Sequence, residues 1–193
     1  MTDLPELKGN NILLRKPKKQ DIDARIIFGS PIELVRMCGG DIGKIKFTVD
    51  DATQWYNKIV EHPCKWIIEY DGACIGEVGL TPYKQDNKAR FSIVIFELSK
   101  LGLGIGTEVA NLVLDYAFNV QKYHKVYLRV LEYNKRAMKC YEKCGFIKEG
   151  FDREGVLIDG KYETDIYMGI LENEYSRYVR SIVRTSAWLP CSK

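Results

Sequence analysis

The segment 89 to 131 opens as Ala89-Arg-Phe-Ser-Ile-Val-Ile-Phe96, passes through Leu101-Gly102-Leu103-Gly104-Ile105-Gly106-Thr107 and closes as Val126-Tyr-Leu-Arg-Val-Leu131. Its two ends are short β-rich apolar runs of strand length. From Ile105, apolar residues at 105, 109, 112, 113, 116 and 120 share a helical face, and Leu114, Ala117 and Phe118 make the element apolar nearly all round. That pattern predicts one long buried helix reaching residue 120. Strand, glycine loop, helix, strand is a crossover, which joins two parallel strands by a right-handed connection.

Outward from this unit, Asn11 to Lys16 predicts a strand and Lys18 to Phe28 a helix carrying Ile22, Ile26 and Ile27. Gly29 to Gly43 holds four glycines, Ser30 and Pro31, and is expected to be a mobile connection bordering a substrate pocket. Thr48 and Asp51 form a capping box ahead of Ala52, Trp55, Tyr56, Ile59 and Val60, and Pro63 ends that helix. Trp66 to Tyr70, Asp71-Gly72 and Ala73 to Leu80 spell a hairpin. Downstream, Asn134 can cap a helix with Ala137, Cys140, Tyr141 and Cys144 on one stripe, stopped by Gly145, and a last hairpin turns at Asp159-Gly160. Residues 172 to 185 could form a basic amphipathic helix, followed by a tail to Lys193. With no repeat and no dividing linker, residues 1–193 are expected to be one domain.

At 193 residues and 46% apolar content, the chain can bury a sizeable core. Lys and Arg number 29 against 26 acidic residues, and a net charge of +3 gives no support for nucleic acid binding. No apolar window of membrane-spanning length occurs, and Asp3 and Glu6 stand where a signal peptide would be basic and apolar, so neither membrane insertion nor secretion is expected. Cysteines at 38, 64, 74, 140, 144 and 191 show no disulfide framework, which suits reduced thiols in a cytoplasm. Without a C-x-x-C pair, and with His62 and His124 the only histidines, no metal site is expected. Cys140 and Cys144, one helical turn apart, read as core side chains ahead of a redox pair.

The glycines between strand and helix let backbone N–H groups face a ligand at the positive helix end, where pyrophosphate is the natural occupant. A dinucleotide fingerprint fails, because Thr107 or Val109 stands at the third glycine, and a P-loop fails for want of its G-K-[ST] ending. A ligand-free glycine turn remains an equal reading of this loop by itself.

The loop L-G-L-G-I-G-T-E at 101–108, the helix to Phe118, the strand Val126 to Val130 and the run Asn134-Lys-Arg-Ala-Met-Lys-Cys-Tyr-Glu-Lys-Cys-Gly-Phe146 together resemble the GNAT acetyltransferase superfamily. With I-L-L-R-K-P-K-K-Q-D at 12–21, the likeness is to the branch of ribosomal-protein N-terminal and polyamine acetyltransferases. It runs from about residue 10 to 171, with the specific motifs in a core at 89–150. The resemblance implies an α/β fold: a mixed, mostly antiparallel sheet, helices on both faces, and a parallel strand pair that splays apart to admit acetyl-CoA. It assigns the pyrophosphate to Leu101, Gly102, Leu103, Gly104, Ile105, Gly106 and Thr107, the pantetheine to the backbone of Val94, Ile95 and Phe96, and a cofactor contact to Asn134. Leu101 departs from the Gln or Arg usual at the loop's first position.

Transfer from a thioester to an amine needs a neutral nucleophile, a donor for the carbonyl oxygen and a proton for the leaving sulfur. Tyr141 matches the family's acid; from spacing alone it would read as a core tyrosine. Arg90 and Arg129 occupy positions where some members carry a glutamate base, and neither can accept a proton. Glu77, Glu97 and Glu132 remain without assignment, and a water chain could serve. Lys100, Arg136, Lys139 and Lys143 stand near the cofactor motifs. The expected activity is acetyl-CoA-dependent N-acetylation of a primary amine, either a small molecule or a protein N-terminus, in a cytoplasmic enzyme for which a homodimer is allowed. The contrasting reading is a noncatalytic acyl-CoA-binding sensor or interaction module.

Overall fold

The computed structural model describes residues 4–40 and 48–178. Its strands are β1 (Leu7–Lys8), β2 (Ile12–Arg15), β3 (Lys65–Tyr70), β4 (Ala73–Tyr83), β5 (Lys88–Ile95), β6 (Lys125–Leu131), β7 (Ile147–Ile158) and β8 (Lys161–Leu171). They form one sheet in the order β1-β2-β3-β4-β5-β6-β8-β7. All neighbours are antiparallel except β5 and β6, the parallel pair joined by the crossover. Both hairpin dipeptides take positive φ, 49° and 79° at Asp71-Gly72 and 50° and 77° at Asp159-Gly160, which is the geometry of a type I′ turn.

The helices are α1 (Asp21–Phe28), α2 (Ile32–Met37), α3 (Val49–Glu61), α4 (Ile105–Asp115) and α5 (Lys135–Lys143). They cover both faces because the strands alternate. On β3, Ile67 joins Ile59, Cys74, Ala24 and Trp55 beneath α1 and α3, while Trp66 and Ile68 face the main core with Val109, Val113 and Leu114 of α4. Thr48 opens α3 as expected: its hydroxyl accepts from the Asp51 N–H at 3.1 Å, and the Asp51 carboxylate accepts from the Thr48 N–H at 3.1 Å.

Two expectations change. The long helix does not stay α-helical to residue 120; it widens into a π turn over Tyr116–Val120, with the Gln121 N–H reaching the Tyr116 carbonyl at 3.0 Å. The wider turn puts three consecutive side chains, Tyr116, Ala117 and Phe118, inside the core, which a regular helix with one buried stripe would not do. Within Gly29 to Gly43, expected to be a mobile connection, Pro31 at φ −54° leads into α2, which with its C-cap residue Cys38 contributes Leu34 and Met37 to the wall of a cleft. A helix begins at residue 172, where one was expected, and is described to 178; the remainder of the expected 172–185 helix and the tail lie outside the described residues. Among the described residues, no helix is long and apolar enough to cross a membrane.

Candidate active site

The parallel pair is joined at only three positions, Lys88 with Lys125, Ala89 with Val126 and Arg90 with Tyr127. Beyond them β5 stays with β4 as far as Gly76 opposite Ile95, while β6 stays with β8 as far as Leu131 opposite Asp165. Each strand follows its antiparallel partner, and the right-handed twist of the sheet drives the two apart. A cleft of about 480 Å³ occupies the gap.

Backbone direction decides which strand groups face it. The Phe96 N–H donates to the Ile75 carbonyl at 2.7 Å, so Phe96, and by alternation Val94, turn their backbone toward β4. Ile95 and Ile93 therefore turn theirs toward the gap. Of the three strand positions assigned by resemblance to pantetheine, Val94 and Ile95 line the cleft; Phe96 does not, being buried edge-on against Trp55 at 5.8 Å.

At the mouth, Gly102 and Gly104 have φ of 83° and 84°, and a Cβ on either would meet no protein atom within 4 Å. The Thr107 and Glu108 N–H groups are taken by the Gly104 carbonyl at 3.0 and 3.1 Å. Among the described residues, none of the N–H groups of 102–106 donates to a backbone carbonyl. Open space, free N–H groups and the start of α4 together fit a pyrophosphate. Leu101, Gly102, Gly104, Gly106 and Thr107 line the cleft, whereas Leu103 is solvent-exposed and Ile105 is buried in the core. Four cations line the same region. Lys100 lies over the Tyr70 ring at 5.1 Å and Arg136 pairs with Glu33 at 3.5 Å, while among the described residues Lys139 and Lys143 make no ion pair.

Because the loop's donors belong to the backbone, and Leu101 packs its side chain against the core, Leu101→Gln is expected to change CoA affinity by less than about threefold. Calorimetry checks this. A tenfold gain, about 1.4 kcal/mol, would show that a side-chain donor had been missing.

Tyr141 lies in the cleft wall, 9% exposed, its ring edge-on to Phe91 at 6.1 Å and Phe146 at 5.8 Å. Burial, with the nearby thiols of Cys140, Cys38 and Cys144 adding to it, pushes the phenol well above its usual pKa, so it holds its proton throughout the neutral range. Its hydroxyl makes no side-chain hydrogen bond among the described residues and is not one of their buried unpaired atoms, so it is open to the cleft. Asn134 borders the cleft as a cap: its Oδ1 accepts from the Ala137 N–H at 3.1 Å, and its Nδ2 donates to the Met37 carbonyl at 3.3 Å, tying α5 to α2. Cys144 is fully buried, as a core residue should be, but Cys140 reaches the cleft wall with its sulfur 3.3 Å from the Thr107 hydroxyl.

The glutamates considered as bases are elsewhere. Glu77 accepts from the Trp55 indole and from Lys65 at 3.0 Å, and Glu97 accepts from Ser99 at 2.7 Å; neither they nor Glu132 line the cleft. Arg90 and Arg129 do, and so does a carboxylate that the sequence motifs did not single out. Asp165 stands on β8, far along the chain from the glycine loop, and only the pairing of β8 with β6 brings it there. A lone acid in an alternating strand carries no signal of its own.

Residues 11–147 match the model of the acetyltransferase (GNAT) domain. The spermidine N(1)-acetyltransferase of Vibrio cholerae is 32% identical over 130 residues, covering 65% of this chain and 75% of that protein. The crystal structure of the Vibrio cholerae spermidine N-acetyltransferase in complex with CoA and spermine superposes with a TM-score of 0.74 at 26% identity, covering 87% of this chain and 99% of that one. A GNAT-family acetyltransferase from Bacillus anthracis shares the fold with a TM-score of 0.77 at 19% identity, over 88% of this chain and 99% of that one. With its split parallel pair, its glycine loop at a helix start and a matching domain across most of its length, the chain belongs to the GNAT family of acetyltransferases, whose acyl donor is acetyl-CoA.

Proposed function

We propose that the cleft acetylates a primary amine of small-molecule size, which attacks the thioester directly. The observation that carries this reading is the gap between β5 and β6, with free backbone donors at its mouth and an unpaired phenol in its wall. Acetyl-CoA supplies an acyl group already activated as a thioester. The loop N–H groups of 102–106 hold the pyrophosphate, and Lys139 and Lys143 add positive charge beside it. The Ile95 backbone faces the gap, and its N–H serves as the fixed donor for the carbonyl oxygen. Tyr141 Oη supplies the proton that the departing sulfur needs. Asn134 holds the start of α5, and through it Tyr141, in register with the cleft.

The relatives named for spermidine support a small amine over a protein N-terminus as acceptor. Free thiols at Cys38, Cys64, Cys74, Cys140 and Cys144 support a reducing cytoplasm as its location. The test is thiol release from acetyl-CoA with a panel of spermidine, spermine, an aminoglycoside, an amino sugar and peptides with free N-termini. Turnover with the small amines is expected. Turnover with the peptides alone would replace the small amine by a protein N-terminus, and no turnover with any of them would overturn the proposal.

A further inference from the structure

Within the cleft, Asp165 is a carboxylate whose side chain is only 2% exposed. Its Oδ2 is shielded from solvent and has no hydrogen bond among the described residues. That oxygen is paired with the Arg129 Nη1 at 3.1 Å, carried by a side chain that is itself 40% exposed. A buried anion is costly unless it is paired and fully hydrogen-bonded, and among the described residues this one makes one ion pair, with a cation that reaches it from the solvent side. Burial raises its pKa above the usual carboxylate value, Arg129 works against that rise, Asp152 of β7 adds to it, and Arg90 of β5 also favours the charged form.

The pleat of the sheet indicates what the pair faces. Leu128 and Val130 point into the main core, so Arg129 and Leu131 point to the opposite face, and Asp165, directly across from Leu131, shares that face. Leu34 and Met37 of α2 line the cleft there. Tyr141 belongs to the main core. The split between β5 and β6 thus connects two sides: one carries the phenol, the other a half-satisfied carboxylate.

We propose that Asp165 is the acceptor subsite: it receives a charged ammonium of the incoming amine other than the nitrogen that attacks, and Arg129 is the cation that occupies its place until the amine arrives. This rests on the reading that the cleft acetylates amines, and it adds the residue that recognises the acceptor. An ammonium supplies both charge and the hydrogen bond that Oδ2 lacks. Arg129, half in solvent, can turn away at little cost.

The two partners give opposite signs, which distinguishes recognition from mere structural support. In the full chain, Asp165→Asn keeps the shape and removes the charge, and it should raise KM for the best amine of the panel by about thirtyfold or more, as expected for losing one side of a buried charge pair. kcat at saturating amine and CoA affinity by calorimetry should stay within about threefold of wild type. Arg129→Met removes the competing cation, and it should lower the same KM by about twofold to fivefold. If Asp165→Asn does not fold, the Arg129→Met arm still decides. A KM unchanged or raised in Arg129→Met, or unchanged in a folded Asp165→Asn, overturns the subsite while leaving acetyl transfer intact. Failure of the acetyltransferase reading would look different: wild-type protein would release no thiol with any amine.

Discussion

Replacing Tyr141 by phenylalanine is expected to lower kcat by about a hundredfold or more, the usual size for losing a general acid, with CoA affinity unchanged. The ring contacts with Phe91 and Phe146 survive the substitution. The hydroxyl has no protein partner among the described residues, and it is not one of their buried unpaired polar atoms but belongs to the cleft wall, so its removal should leave Tm close to wild type. A phenol held only for packing would give the reverse: turnover kept, and stability lowered by about 1 kcal/mol if a hydrogen bond had been lost. An ordinary phenol, with a pKa of about 10, is already a weaker acid than a thiol at about 8.5, and burial raises it further, so full transfer to the sulfur is uphill by itself. It becomes favourable only as the amine gives up its own proton, so the defect should be largest where that chemistry limits turnover. Steady-state rates with a fast amine, compared in wild type and variant, check the size; wild-type turnover in the variant would remove Tyr141 from the acid's role.

Gly104→Val should abolish tight CoA binding, with a loss of about a hundredfold or more, worth about 2.7 kcal/mol. Two effects combine at this position. At φ 84° a β-branched residue is strained, which lowers stability by about 1 to 2 kcal/mol. A Cβ there meets no protein atom within 4 Å, so the added methyl groups project into the space left for the phosphates. Calorimetry of CoA binding, with circular dichroism to establish that the variant is folded, measures the effect. An unchanged affinity would overturn the assignment of the loop to pyrophosphate.

Parts of the site that act through the backbone were legible in the chain itself. The glycines at 102 and 104 announce a loop with free N–H groups, because a residue without Cβ takes positive φ unstrained and leaves the backbone open to approach. Asn134 announces a cap by its place before an apolar stripe, and the Ala137 N–H meets it. Which strand amides face the cleft was not legible. That depends on the antiparallel register of β4 against β5, set by a hydrogen bond from Phe96 to Ile75 across 21 residues of chain, and it turns Phe96 away while leaving Ile95 open. Nor could spacing say that Glu77 would be consumed by Trp55 and Lys65, two residues distant in the chain that α3 and β3 deliver to it.

The sequence by itself determined most of the strands and helices, the two tight hairpin turns, the crossover and hence a parallel pair in an otherwise antiparallel sheet, because periodicity, turn chemistry and connection handedness are local or nearly local in the chain. Tertiary structure alone decided where that pair parts, since β5 and β6 separate after Arg90 and Tyr127 only because each is held by a different antiparallel neighbour. It also decided that a short helix after Pro31 would wall the cleft, and that Tyr116 to Phe118 would bend α4's end into a π turn to bury three side chains in a row. The placement of Asp165 belongs to the same class. Its position in β8 means nothing until the β6 to β8 register sets it opposite Leu131 at the open end of the gap, where burial, Asp152 and the arginines at 129 and 90 give a common side chain a distinct charge environment.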